Sequence, residues 1–144
     1  MMNNLASPDT AGRIATKTIL VVDDDDAVRR GLRGVLVSEG YEVVTAINGI
    51  QAFAAFRRHP CDLALIDMNM PLLPGWGTIA ELRKLNGRLP IIIITARPDQ
   101  RNIAEAAGVE LMEKPLDLPL LLKRIGALVL EAQAAVPALS ASQA

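Results

Sequence analysis

Hydrophobic residues fall into five short runs, separated by segments with helical spacing. The runs occupy residues 18–22, 41–46, 63–66, 90–95 and 109–112. Between them apolar residues recur three or four positions apart, for example Val28, Leu32 and Val35, as on one face of a helix. Gly40 and Gly108 stand where helices should stop. The pattern predicts five β-α repeats.

The first, third and fourth runs are apolar throughout rather than alternating, which predicts strands that are covered on both faces. Strands that alternate with helices favour an α/β fold with a parallel sheet between two helical layers. We expect one domain at residues 17–132, with a flexible N-terminal extension at 1–16. Residues 133–144 are predicted to form a flexible tail, into which the last helix can extend.

Composition narrows the classes of partner. Hydrophobic residues make up 51% of the 144, charged residues 22%, and the formal net charge is -1. We therefore expect no direct binding to nucleic acid and none to anionic membranes. The apolar runs are shorter than the roughly 18 residues of a membrane span, and the N-terminus lacks the apolar core of a signal peptide. These features predict a cytoplasmic protein.

Polar residues stand at the ends of four of the five runs. Asp23 and Asp24 follow the first run, Asp67 follows the third, Thr95 ends the fourth, and Lys114 comes just after the fifth. Ligands bind at the carboxyl ends of the strands in such sheets. The fold would gather three carboxylates, a hydroxyl and an ammonium into one small site.

This set of groups suits phosphoryl transfer to a carboxylate. Hard oxygen ligands favour Mg²⁺, and a carboxylate can accept a phosphoryl group as a nucleophile. Asp67 is alone at its strand end and is the better candidate for the nucleophile, whereas Asp23 and Asp24 can share the metal. Thr95 and Lys114 would contact the phosphoryl oxygens.

Each of these residues also has a plainer interpretation. An acidic cluster after a strand is most often a solvated turn or the start of a helix, and Asp25 and Asp26 fit that description. A lone Thr at a strand end is usually structural, and a Lys before Pro usually lies in a loop. Their joint occurrence at successive strand ends favours the functional interpretation.

Four segments carry a resemblance to the receiver domain of two-component response regulators. They are "ILVVDDDDAVRRGL", "LALIDMNMPLLPGW", "PIIIITA" and "MEKPL", in the family's order and near its spacing, and the resemblance covers about residues 17–130. It implies a flavodoxin-like three-layer sandwich whose five-stranded parallel sheet has the order 2-1-3-4-5.

The resemblance also implies roles for individual residues. A sensor histidine kinase would donate a phosphoryl group to Asp67, and Thr95 and Lys114 would contact that group. Mg²⁺ or Mn²⁺ would be held by Asp24, Asp67 and the backbone carbonyl of Asn69, with Asp23 acting through a metal-bound water. The Lys114–Pro115 peptide bond would be cis.

Two departures from the family pattern stand out. The family usually has an aromatic switch residue three positions before the lysine, where this chain has Leu111. The segment between Thr95 and Lys114 is about three residues short, nearly one helical turn, which predicts a shortened fourth helix. Asn69 and Arg97 occupy positions that tune the lifetime of the phosphoryl group in the family, and the Arg97 side chain either reaches that group or is merely solvated.

The leading interpretation is a phosphoacceptor signalling module that is not an enzyme and that switches binding of an unknown downstream protein. We expect a monomer or a weak homodimer. An Asp-nucleophile phosphatase of small substrates is an alternative, although such enzymes usually carry a second Asp where this chain has Asn69. A receiver fragment of a larger regulator or hybrid kinase is another, as is a receiver that works without phosphorylation.

Overall fold

Five parallel strands form a single sheet in the order β2-β1-β3-β4-β5. This computed structural model describes residues 16–69 and 74–143, and the side chains of all these except residues 98 and 135–143. The strands are β1 (Thr18–Val22), β2 (Glu42–Ala46), β3 (Leu63–Asp67), β4 (Ile91–Thr95) and β5 (Glu110–Glu113). The predicted sheet order is confirmed.

Five α-helices connect and cover the strands. They are α1 (Asp26–Ser38), α2 (Gly49–Arg58), α3 (Gly75–Leu85), α4 (Arg101–Ala107) and α5 (Leu118–Gln143), and a 3-10 turn at Pro98–Gln100 precedes α4. At seven residues, α4 is the shortest of these helices. The shortened fourth helix that the sequence predicts is therefore present.

The sheet is buried between two apolar layers. On one side α2, α3 and α4 contribute residues such as Phe56, Leu82 and Ala104 to a core cluster. On the other side α1 and α5 contribute Leu36 and Ile125 to a second cluster. All residues of β3 and β4 are buried, and four of the five residues of β1. The continuous apolar runs therefore form central strands that are covered on both faces.

The helix boundaries follow from local chemistry. The Asp25 side chain accepts a hydrogen bond from the Val28 N–H at the start of α1, which confirms its predicted role as a helix cap. Gly108 ends α4 with a φ of 71°, a left-handed conformation that glycine adopts without a steric penalty. The chain thus turns sharply into β5.

The structure describes most of the predicted C-terminal segment and little of the N-terminal one. The helix α5 extends to Gln143 and so runs into residues 133–144, as its apolar spacing allowed. The flexibility of that segment stays a prediction. The N-terminal extension at residues 1–16 lies outside the described residues, apart from residue 16. Within the part of the chain that the structure describes, no helix has the length and apolar character to cross a bilayer.

Candidate functional site

The strand register brings the predicted site residues to one edge of the sheet. Val22 pairs with Ile66, so Asp23 and Asp67 leave adjacent strands side by side. Thr95 ends β4 and pairs with Glu113, the residue before Lys114. Because β3 lies between β1 and β4, Asp67 stands in the middle of this row. It is the last residue of β3 rather than the first residue after it.

Three carboxylates meet at this edge. One oxygen from each of Asp23, Asp24 and Asp67 lies within 4.8 Å of the other two. Asp23 and Asp67 are buried, with 2% and 4% of their surfaces exposed, while Asp24 is exposed. The predicted acidic cluster is therefore assembled, with two members shielded from water and one open to it.

Asp23 is held at several atoms. Its N–H donates to the Ala46 carbonyl over 3.1 Å, and its Oδ1 accepts from the Asp25 N–H over 2.8 Å. Burial raises the pKa of Asp23, and the charge of Asp67 raises it further, against the lowering effect of the Asp25 hydrogen bond. Burial and the neighbouring negative charges both disfavour the charged form of the Asp23 carboxyl group. A cation at this position would therefore stabilise the site.

Lys114 provides the positive charge next to Asp67. Its Nζ lies 3.3 Å from the Asp67 Oδ1, the same oxygen that accepts a hydrogen bond from the Asn69 N–H over 3.2 Å. The Lys114 N–H donates to the Thr95 carbonyl over 2.9 Å, which fixes the start of the lysine side chain beside β4. The Lys114–Pro115 bond is cis, as the resemblance implied.

Thr95 is buried at the end of β4. Its Oγ1 accepts a hydrogen bond from the Arg97 N–H over 3.0 Å. The Arg97 side chain is largely exposed, and its Nη2 lies 3.0 Å from the Asp99 Oδ2. In this arrangement the Arg97 guanidinium pairs with Asp99 and not with the acid cluster. A role for Arg97 in the lifetime of a phosphoryl group stays a prediction.

Two further predicted residues flank the cluster. Asn69 is exposed just after β3, and the proposed role of its carbonyl as a metal ligand stays a prediction. Leu111, at the family's aromatic switch position, is half-buried and packs against the core cluster on the side of α2, α3 and α4. Any switch at this position has to work through aliphatic packing.

The donor set fits a hard divalent cation. Carboxylate oxygens are the protein ligands that Mg²⁺ and Mn²⁺ prefer, and Mg²⁺ commonly uses one or two of them and fills its other positions with water and phosphate oxygens. The buried oxygens of Asp23 and Asp67 together with the exposed Asp24 provide such a site with access to water. An anionic substrate group could approach from the same side.

One residue of this region, Arg29, was not predicted from the sequence. Arg29, at the end of the first turn of α1, donates from Nη1 to the Asp23 carbonyl over 2.9 Å. In sequence, an arginine three residues after Asp26 indicates an ordinary exposed ion pair. The available signal was the run of four aspartates at residues 23–26, because so many like charges favour a nearby positive side chain.

The five-stranded parallel sheet and the acid cluster at its carboxyl edge define an α/β domain with a candidate cation site at the strand ends. The sequence model of the response regulator receiver domain matches residues 19–126, and the chain belongs to that family. Members of the family act as phosphoacceptor signalling modules and interact with histidine kinases and downstream effectors. The resemblance drawn from four sequence segments is thereby confirmed.

Individual relatives agree with this assignment. The chain is 47% identical over 78 residues to a probable transcriptional regulator, ycf27, of Pyropia yezoensis. These residues are 54% of this chain and 32% of that protein. The chain is 39% identical over 114 residues to the response regulator MprA of Mycobacterium leprae, over 77% of this chain and 50% of that one. The chain spans about a third to a half of the length of these relatives.

A solved structure extends the comparison to the fold. The CheY-like receiver domain protein of Methanospirillum hungatei JF-1 superposes with a TM-score of 0.78 at 27% identity, covering 84% of this chain and 99% of that chain. The flavodoxin-like fold of the receiver family is therefore the fold of this protein.

Proposed function

We propose that this receiver domain accepts a phosphoryl group on Asp67 from the phosphohistidine of a sensor histidine kinase, in a reaction that requires Mg²⁺ or Mn²⁺. One observation carries the proposal. One oxygen of Asp67 lies within 4.8 Å of an oxygen of Asp23 and of an oxygen of Asp24, while the Asp67 Oδ1 lies 3.3 Å from the Lys114 ammonium. A nucleophile, a cation site and a fixed positive charge therefore meet at one carboxylate.

The position of Asp67 supports its choice over the other two acids. Asp23 is engaged by the Asp25 N–H, and Asp24 lies on the exposed side of the cluster. Asp67 ends the strand between β1 and β4, so the acid pair lies on one side of it and the groups of β4 and β5 on the other. Only from this position can a carboxylate face both sets of groups.

The transfer itself consists of one bond formed and one broken. An oxygen of the Asp67 carboxylate attacks phosphorus and forms the O–P bond of an acyl phosphate. The P–N bond to the kinase imidazole breaks, and its electron pair remains on the ring nitrogen. Attack by water on the same phosphorus later breaks the new O–P bond, releases phosphate and restores the carboxylate.

The remaining residues bind and orient the phosphoryl group. The Lys114 ammonium neutralises charge on a phosphoryl oxygen, and the Thr95 hydroxyl donates a hydrogen bond to another. A divalent cation held by Asp24, Asp67 and the Asn69 carbonyl, with Asp23 acting through water, would supply further charge neutralisation. Positioning and charge neutralisation account for most of the catalysis in such transfers.

In this proposal the domain is regulatory and turns over no substrate of its own apart from its phosphoryl group. Its phosphorylated form would bind an unknown downstream protein, as a monomer or a weak homodimer in the cytoplasm. The exposed acidic edge supports docking of a phosphohistidine donor, since Asp24 and Asn69 are both open to solvent.

Phosphorylation by a small donor tests the proposal directly. Acetyl phosphate with Mg²⁺ should label the protein with an acid-stable, base-labile phosphate, and Asp67→Asn should abolish the label. Asp62→Asn is a matched control, because Asp62 precedes β3 at the opposite edge of the sheet and its Oδ2 accepts from the Thr18 N–H. Undiminished labelling of Asp67→Asn would refute the assignment. Steady hydrolysis of a small phosphate ester would instead favour the phosphatase.

A further inference from the structure

The Arg29 side chain lies beneath the loop that carries the acid pair. Its Nη1 donates to the Asp23 carbonyl over 2.9 Å, and its Nη2 pairs with the Asp26 Oδ1. Only 15% of its side-chain surface is exposed. Arg30 next to it also reaches Asp26, over 3.1 Å, but 73% of its side chain is exposed. The two arginines share one acidic partner, and only Arg29 reaches the loop backbone.

This contact completes the attachment of Asp23. The N–H of Asp23 is fixed to the neighbouring strand by Ala46, and its Oδ1 is fixed by the Asp25 N–H. Within the described residues, Arg29 is the donor to its carbonyl. The planar guanidinium has several donors in a rigid fork, so a single side chain ties the turn after β1 to the body of α1.

The charge of Arg29 is largely compensated where it stands. Asp26 pairs with it directly, so its net field at the carboxylate cluster is weaker than that of an isolated cation. The pairing with Asp26 does not weaken the geometric effect of the hydrogen bond to the Asp23 carbonyl. That hydrogen bond fixes the direction in which the chain enters Asp24. The contribution of Arg29 to the site is therefore mainly geometric.

We infer that Arg29 is a positioning residue for the divalent-cation site, because its hydrogen bond to the Asp23 carbonyl holds Asp23 and Asp24 in the arrangement that can share one ion with Asp67. The inference rests on the proposed function in that it takes the carboxylate cluster to be a cation site. Residues that hold metal ligands in place typically change metal affinity about 10- to 100-fold when they are replaced.

Direct ion binding tests this role. Arg29→Met removes the guanidinium and keeps an aliphatic stem, and Arg30→Met is the matched control that removes only an exposed partner of Asp26. Binding of Mn²⁺ alone is followed by the EPR signal of the free ion. Arg29→Met should bind Mn²⁺ about 10-fold more weakly. Arg30→Met should remain within about twofold of the unaltered protein.

Labelling by acetyl phosphate provides a second readout. In Arg29→Met, the Mg²⁺ concentration that gives half of the maximal labelling rate should rise by the same factor. The rate at saturating Mg²⁺ should stay near that of the unaltered protein, because the bound ion restores the arrangement. Urea unfolding without divalent cations shows whether both variants are folded under the conditions of the titration.

The outcomes separate the alternatives. Tighter Mn²⁺ binding by Arg29→Met would show that Arg29 acts as a competing charge, and unchanged binding with lower stability would show a purely structural role; either result overturns the inference. Absence of Mn²⁺ binding by the unaltered protein would contradict the cation site and the role of Arg29 together. Mn²⁺ binding with no label on Asp67 would contradict the proposed function alone.

Discussion

Replacing Asp23 by Asn should stabilise the protein when no divalent cation is present. Asp23 is 2% exposed, and one of its oxygens lies within 4.8 Å of oxygens of Asp67 and Asp24. Its pKa is raised by burial and by the charge of Asp67. The charged form of Asp23 is therefore less favourable in the folded protein than in the unfolded chain.

The magnitude follows from the geometry of the cluster. Two carboxylates about 5 Å apart repel each other by about 3 kcal/mol at an effective dielectric constant of about 20. Attraction between Asp23 and Lys114 offsets part of this, and the exposure of Asp24 screens its share. Asparagine keeps the oxygen that accepts from the Asp25 N–H. We expect a net gain of about 1–2 kcal/mol in the free energy of unfolding at neutral pH.

The gain depends on pH in a defined direction. The pKa of Asp23 in the folded protein is above its ordinary value of 3.8. The folded protein therefore favours protonated Asp23, and the stability that this gives is fully present below that value. It is lost as the pH rises through the raised pKa and the buried carboxyl ionises. The advantage of Asp23→Asn should be largest at neutral pH and should disappear in acid, where Asp23 is protonated in both states.

Urea unfolding in the presence of a chelator measures the effect, with the fluorescence of Trp76, the only tryptophan of the chain, as the signal. Asp26→Asn is the control, since it removes the same charge from an exposed carboxylate that pairs with Arg29 and Arg30. The control should lose about 0.5 kcal/mol. Lower stability of Asp23→Asn than of the unaltered protein at neutral pH without cations would contradict a net repulsion on the Asp23 carboxylate.

Two further substitutions test packing at the two ends of the sheet, Arg83 beside the starts of β4 and β5 and Gly75 beside the residues that follow Asp67. Arg83→Met removes a guanidinium that donates to three backbone carbonyls around the α4–β5 turn and the start of β4, and it should cost about 2–3 kcal/mol. The exposed Lys84→Met is its control, and equal losses would contradict the expectation. Gly75→Ala would bring a Cβ into the side chain and backbone of Met68, so it should cost about 1–3 kcal/mol and slow acetyl phosphate labelling of Asp67, the residue before Met68. Gly31→Ala has open space and should leave labelling unchanged; equal labelling of both variants would count against a role for this contact.

Much of the fold was predictable from local patterns. Continuous apolar runs identified the central strands, because a strand with two covered faces has no polar positions to alternate with. Glycines such as Gly108 and polar caps such as Asp25 marked helix ends, since each satisfies a local backbone requirement. The short α4 followed from the count of residues between Thr95 and Lys114.

The site was predictable in its composition but not in its contacts. Parallel strands place their carboxyl ends together, so Asp23, Asp67, Thr95 and Lys114 were expected at one edge. Whether Arg97 reaches the phosphoryl group or is solvated was left open, because a long exposed side chain can satisfy its charge in several directions, and its role stays a prediction. The roles of Asn69 and Leu111 in the lifetime and switching of the phosphoryl group remain predictions.

The sequence by itself determined the α/β class, the order of the strands through its family segments, and the identity of the acids and the lysine at the sheet edge. These features depend on periodicity and on residues adjacent in the chain. Only the tertiary structure decided which atoms meet across the edge: the 3.3 Å contact of Lys114 with Asp67, and the burial of Arg29 against the Asp23 carbonyl. Such contacts depend on strand register, side-chain direction and burial, and no local pattern encodes whether an arginine of a helix turns to solvent or to the loop before it.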